Sequence, residues 1–191
     1  EISISDLTNL RLEKRDGEYA NVSDCIFIST KKVAEPFKEI HFDNECIISQ
    51  YNPETRALIL DIAEEAGATV IENIEDWRYE KISRYLEMQD ANDISKDIHL
   101  NFIRELLDID EKEKKSLSED IQKIQLIAKN GDYYDQNDLT LGREYRPLCD
   151  FESNGITDEF LTYLAADYAS FDCENLGTKI MDTFKVHYRF T

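Results

Sequence analysis

The sequence predicts an α+β fold, with two small strand–turn–strand units joined by a helical segment. Three observations predict it. Short β-branched and aromatic runs stand beside Asp-Gly or Asn-Gly turn signals. Capped stretches with apolar residues at helical spacing fill the middle of the chain. A strand–turn pattern near the start recurs 114 residues later. The matching division is 1–51 as a first β-rich unit, 52–121 as a helical connector, and 122–191 as a second β-rich unit with C-terminal helices.

Taken in order, Leu10-Arg11-Leu12 is a short extended piece, and Asp16-Gly17 turns the chain back because Gly17 tolerates positive φ. Residues 24–30 (DCIFIST) read as a strand. Residues 33–40 suit a short helix, with Pro36 tolerated only in its first turn. Residues 45–49 (ECIIS) are a second strand. Asn52-Pro53-Glu54 starts a helix: Asn caps, Pro takes the first turn, and Glu meets the positive end of the dipole. Gly67 ends it as a left-handed cap. Residues 69–72 (TVIE) form a strand, followed by helices over 75–88 and 95–107. The charge run 110–115 reads as a solvated helix or linker. Residues 116–121 lead into a strand at 124–128, and Asn130-Gly131 is the second hairpin turn. Residues 133–141 hold short extended pieces. Thr157-Asp158-Glu159 is expected to cap a helix over Phe160, Leu161, Leu164 and Ala165. A short helix at 180–184 and an extended piece at 186–190 close the chain.

The recurrence sets Leu10, Gly17 and Tyr19 against Ile124, Gly131 and Tyr133. Asp24 meets Asp138, and Phe27 meets Leu141. About the same distance later each copy reaches an apolar stretch ending in Tyr, at Tyr51 and Tyr168. The reading is one unit present twice: strand, Asp/Asn-Gly turn, short strand, then a helix or extended piece.

Composition excludes several roles. Lys and Arg number 22 against 41 Asp and Glu, a formal charge of −19. Such a surface repels phosphate backbones, since counterion release needs basic residues facing the polymer. Direct binding of nucleic acid, or of an anionic membrane, is not expected. No apolar run reaches the length of a membrane span. The first residues carry no signal-peptide pattern, and with no initiator Met the chain is expected to be part of something longer. Cys25, Cys46, Cys149 and Cys173 lack metal-ligand spacing and read as reduced thiols of a cytoplasmic protein.

The residues Lys129-Asn130-Gly131-Asp132-Tyr133-Tyr134, followed by Leu141-Gly142-Arg143-Glu144-Tyr145-Arg146-Pro147, resemble the regions downstream of the ATPase domain in large sacsin-like and NO VEIN-like proteins. Phe102-Ile103-Arg104-Glu105-Leu106-Leu107 suits the same pattern. The first copy departs from it, with Phe27-Ile28-Ser29-Thr30 in place of Leu-Gly-x-Glu-Tyr. The resemblance covers about half of the chain. It implies a chaperone-like or defence-related multidomain parent whose Hsp90-type ATP-binding domain lies elsewhere, and it assigns no catalytic residue here.

Chemistry-bearing motifs are absent from the sequence. Ser153-Asn154-Gly155-Ile156-Thr157 lacks the leading Asp and second Gly of an Hsp90-type ATP site. There is neither a Walker loop nor a Gly-x-Ser-x-Gly elbow. His41, His99 and His187 are isolated, and Asp132, Asp135, Asn137 and Asp138 lack EF-hand spacing and read as turn residues. Glu111-Lys112-Glu113-Lys114 lies in a charge run, not on the strand a nuclease motif would need. The expectation is therefore a non-enzymatic chain with no cofactor and no metal. Its expected function is a protein-interaction module of a larger cytoplasmic ATPase protein. Partners would be other domains of the parent chain or a basic protein. The alternative is an acidic mimic of nucleic acid that inhibits a basic nucleic-acid-binding protein. The candidate interaction surface is Tyr133, Tyr134, Asp135, Asp138, Glu144 and Tyr145, since Tyr is enriched at interfaces. Gly17 and Gly131 are the structural turns.

Overall fold

The computed structural model describes residues 7, 9–14, 17–29, 36–42, 44–145 and 161–187. Helices and short strands combine in an α+β fold. The chain divides into two compact units, Glu1–Tyr85 and Leu86–Thr191, so the helical residues 52–121 are shared between them.

In the first unit, β1 (Arg11–Glu13) and β2 (Tyr19–Asn21) form an antiparallel hairpin. Gly17 takes a φ of 86° in its turn, a conformation that L side chains rarely adopt. One 3-10 turn, Val22–Asp24, leads into β3 (Ile26–Ile28). This strand is the centre of a parallel sheet, flanked by β4 (Glu45–Ile47) and β5 (Thr69–Ile71). Side chains alternate across it. Phe27 enters a core with Val22, Cys25, Cys46, Ile48, Ile59, Ile62 and Ala63, while Ile28 packs with Ile71 and Trp77. Apolar burial on both faces explains why β3 is an unbroken apolar run.

The crossover from β4 to β5 carries α1 (Pro53–Ala66). Asn52 Oδ1 accepts the Thr55 amide at 2.8 Å, and Pro53 needs no amide partner in the first turn. Gly67 ends the helix at φ 70°. Then α2 (Ile74–Asp90) buries Trp77, Lys81, Ile82 and Tyr85. Asn73 Oδ1 accepts the Asp76 amide at 2.8 Å at its start.

The second unit begins within the last turns of α2, and its first complete helix is α3 (Lys96–Asp108), capped by Ser95 Oγ. Its buried face, His99, Phe102, Ile103, Leu106 and Leu107, has the spacing of an amphipathic helix. Two short helices follow, α4 (Glu111–Ser116) and α5 (Ser118–Ile121). The charge run is thus helical but only partly solvated: Lys114 is buried and its Nζ donates to the Leu107 carbonyl at 2.9 Å. Next, β6 (Leu126–Ile127) and β7 (Tyr133–Tyr134) form a hairpin turned at Gly131, φ 91°. A 3-10 turn, Gln136–Asp138, leads into β8 (Leu139–Thr140). This strand pairs in parallel with β9 (Thr162–Tyr163), and Thr140 bridges in parallel to His187. Before that bridge lies α6 (Leu176–Phe184), ended by Lys185 at φ 57°.

Two stretches expected to be helical take other conformations where they are described. The helix over Phe160, Leu161, Leu164 and Ala165 is corrected: Thr162 and Tyr163 are strand, and Leu164 bridges to Ala128. Leu164 gives its amide to the Thr140 carbonyl and Ala165 gives its own to that of Ile127, both at 2.9 Å. A short apolar run suits either a buried strand or a helix, and here two neighbouring chains claim its amides. Its proposed cap, 157–159, lies outside the described residues, as does Phe160. Of the helix at 33–40, residues 33–35 also lie outside them, and Pro36 to Glu39 form a turn.

The two halves share a local plan. Glu13 pairs with Tyr19 and Leu12 with Ala20; 114 positions on, Ile127 pairs with Tyr133 and Leu126 with Tyr134. The 3-10 turns Val22–Asp24 and Gln136–Asp138 keep the same offset. Ile26 pairs in parallel with Glu45 and Thr69, as Thr140 does with Tyr163 and His187. In both copies a helix with a left-handed end precedes the second flanking segment. No helix among the described residues is long and apolar enough to cross a membrane.

Candidate functional site

The hairpin of the second unit and the turn after it carry four of the six residues singled out as an interaction surface. The hairpin turn is tied by side chains. Asn130 Nδ2 donates to Asp132 Oδ2 and to Tyr134 Oη, both at 3.0 Å, while Asn130 Oδ1 accepts the Asp132 amide at 3.1 Å. Tyr133 and Tyr134 are half-buried in β7. Asp135 follows, exposed, and accepts from Gln125 Nε2 at 3.0 Å. Asp138, also exposed, ends the 3-10 turn and gives its amide to the Asp135 carbonyl at 3.0 Å. These four residues therefore run along one strand and the turn after it.

Tyr145 is placed differently. It is buried, and its hydroxyl donates to the Ala165 carbonyl. Burial, with Glu144 and Asp167 nearby, pushes its phenol up, so it stays protonated. Glu144 accepts from Lys129 Nζ at 3.1 Å, and the same ammonium lies 5.1 Å from the centre of the Tyr163 ring.

Beneath the hairpin lies a buried polar centre that sequence reasoning left as an isolated histidine. His99 Nε2 and Tyr168 Oη are 2.6 Å apart, and Tyr168 Oη accepts the Ile127 amide at 2.7 Å. The Tyr133 ring meets His99 edge-on at 5.1 Å, and burial pushes the Tyr133 phenol up. Burial holds the His99 imidazole down at about 3, so it is neutral near pH 7. With one nitrogen committed to Tyr168, His99 is a packing and hydrogen-bonding residue. The only signal of this in the sequence is its place on the apolar face of α3.

A cleft of about 580 Å³ also lies in this unit, lined by Asp97, Asn101, Arg104 and Asp108 of α3 and by Phe171 and Cys173 opposite. The four α3 residues follow helical spacing, but their opposing wall lies more than 60 residues away in sequence. Arg104 donates to Asn101 Oδ1 at 2.7 Å. Lys179 is 3.9 Å from Asp108 and bonds the Cys173 thiol, which pushes its ammonium up. The cleft offers charges of both signs and hydrogen-bonding groups to a polar ligand.

The first unit holds a buried ion pair with no forerunner in the sequence reading. Lys81 Nζ meets Glu45 Oε1 at 2.6 Å, with both side chains almost fully buried. The ammonium also donates to the Ile40 carbonyl and stands 4.1 Å from the Trp77 ring centre and 4.6 Å from that of Phe42. Glu45 Oε1 accepts the Phe42 amide at 3.1 Å, and Trp77 Nε1 donates to the Pro36 carbonyl at 2.9 Å. These bonds fasten residues 36–42 to the sheet and to α2.

Among the described residues, no group of three or more His, Cys, Asp or Glu is arranged to hold a metal ion. Cys25, Cys46 and Cys173 are free thiols, and Cys149 lies outside the described residues. Comparison with family models, with curated proteins and with solved structures gave no match.

Proposed function

We propose that this chain is a non-catalytic protein-interaction module of a larger cytoplasmic chaperone-like or defence-related ATPase protein. The observation that carries the reading is the shared plan of the two halves: hairpin, 3-10 turn, then a central strand flanked in parallel on both sides. Successive copies of one small unit are a common way to build an extended binding surface. The buried ionisable groups support it too. Lys81, Glu45, His99 and Tyr145 each serve a hydrogen bond within the fold. The stretch we assign to the partner runs from Tyr133 to Asp138, where Tyr133 and Tyr134 are half-buried and Asp135 and Asp138 exposed.

Capture from a lysate of the source cells tests this, with the chain as bait, a graded salt wash and identification by mass spectrometry. Retention of segments of one large ATPase, or of a neutral or acidic protein, at high salt is the expected result. Recovery of a basic nucleic-acid-binding protein that moderate salt releases and DNA displaces would replace the module by an acidic mimic.

A further inference from the structure

The cleft of the second unit combines apolar walls with carboxylates that the fold leaves unmatched. Asp97, Asn101, Arg104 and Asp108 follow one side of α3, so this polar edge runs about 16 Å along the helix axis. Leu100 and Leu107 line the cleft from the same helix. The opposite wall starts beside Asp167, which Lys96 Nζ meets at 2.6 Å, and continues through Ser170 and Phe171. Phe171 is held in place. Its ring meets that of Tyr168 edge-on at 5.8 Å, and Tyr168 is itself fixed by His99 and the Ile127 amide. The apolar part of the cleft is therefore preformed.

Charge decides what suits such a cleft. Its lining holds the carboxylates of Asp97, Asp108 and Asp172 against the single guanidinium of Arg104, which is turned onto Asn101 Oδ1 at 2.7 Å. Lys179 stands 3.9 Å from Asp108. Asp97 and Asp172 meet no cation among the described residues, whereas Asp167, at the start of the same wall, has Lys96. The complement of this lining is a group with an apolar stem and a cationic tip. A guanidinium fits it best, because its plane stacks on an aromatic ring and its fork matches a carboxylate. An ammonium has neither plane nor fork.

We propose that this cleft takes an arginine side chain of a partner protein, its stem against Leu100, Leu107 and Phe171 and its guanidinium drawn to Asp97 and Asp172. Arg104 keeps donors beyond the one given to Asn101, and these serve the carbonyls of the peptide that carries the arginine. The cleft shares no residue with the stretch from Tyr133 to Asp138, so its occupancy is independent of the role assigned to that stretch.

The test is an NMR titration of the whole chain with acetyl-arginine amide, beside its uncharged isostere acetyl-citrulline amide. The expected result is saturable shifts at the Asn101, Arg104, Phe171 and Cys173 amides, with the isostere at least about tenfold weaker. Asp97→Asn combined with Asp172→Asn should weaken arginine binding at least about tenfold as well. Asp61→Asn combined with Glu65→Gln removes the same charge from the exposed face of α1 and should change it less than about twofold. If the cleft variant does not fold by circular dichroism, the isostere comparison on the native chain decides. No saturable shift at these amides, shifts spread evenly over the acidic surface, equal binding of the isostere, or an equal loss in both double variants would overturn the proposal.

Discussion

Gly67 and Lys185 hold the same place in the two halves: each ends a helix in the left-handed region, at φ 70° and 57°, two residues before a segment that flanks the central strand. Glycine bears no steric penalty there, whereas a lysine does. Lys185→Gly is therefore expected to stabilise the chain by about 1 kcal/mol, less whatever its 2.7 Å bond to the Asp182 carbonyl contributes. Gly67→Ala should cost about 1–2 kcal/mol, from the backbone alone, because an added Cβ meets nothing within 4 Å. Urea denaturation of the two variants beside the parent chain measures both signs.

His99 links stability to pH. Its imidazole takes a proton near 6.5 when unfolded and only near 3 when folded. Below pH 6.5 the unfolded state binds more protons, so this contribution is whole above 6.5 and lost progressively toward 3. The slope across that window is about 1.4 kcal/mol per pH unit. Carboxylates add their own slopes, so the readout is a difference: His99→Gln should flatten the profile between pH 6 and 4 relative to the parent. In an NMR titration the His99 ring signals should not move above pH 5.

Tyr168 should be costly to alter by a single atom. Its hydroxyl serves both the Ile127 amide and His99 Nε2. Tyr168→Phe leaves these buried groups without that partner, a loss of about 1–3 kcal/mol. Amide exchange at Ile127 should accelerate in the same variant, while β8 and β9 keep their protection.

The Lys81–Glu45 pair makes a test by double substitution. Lys81→Met alone leaves a buried carboxylate uncompensated and should cost about 3–5 kcal/mol. Adding Glu45→Gln removes the stranded charge and should recover part of that loss. Thermal melts of the two single variants and the double variant give the coupling.

Residues whose structure is dictated locally were legible in the sequence. Asn52, Pro53 and Gly67 frame α1 because caps act through their own backbone. Gly17 and Gly131 stand 114 residues apart at φ 86° and 91°, each in a hairpin turn, because that conformation selects glycine. What was not legible depends on distant partners. Leu164 and Ala165 look helical until Thr140 and Ile127 take their amides. Lys81 looks like one more charge on an amphipathic helix until Glu45, Phe42 and Trp77 enclose it. Of the candidate surface, Tyr133 and Tyr134 are consecutive on β7 and so face opposite sides, Tyr133 turning its ring onto the buried His99, while Asp135 and Asp138 are exposed on either side of the buried Gln136. Tyr145 carries the same side chain into the core, where the Ala165 carbonyl receives its hydroxyl.

The measurement that tests the interaction reading most directly is the salt dependence of affinity between this chain and the partner it captures. An interface built on the stretch from Tyr133 to Asp138 should weaken less than about tenfold between 0.1 and 0.5 M salt, and DNA should not compete. A loss of roughly a thousandfold over that range, with displacement by DNA, would contradict the account and identify the −19 charge as the binding device.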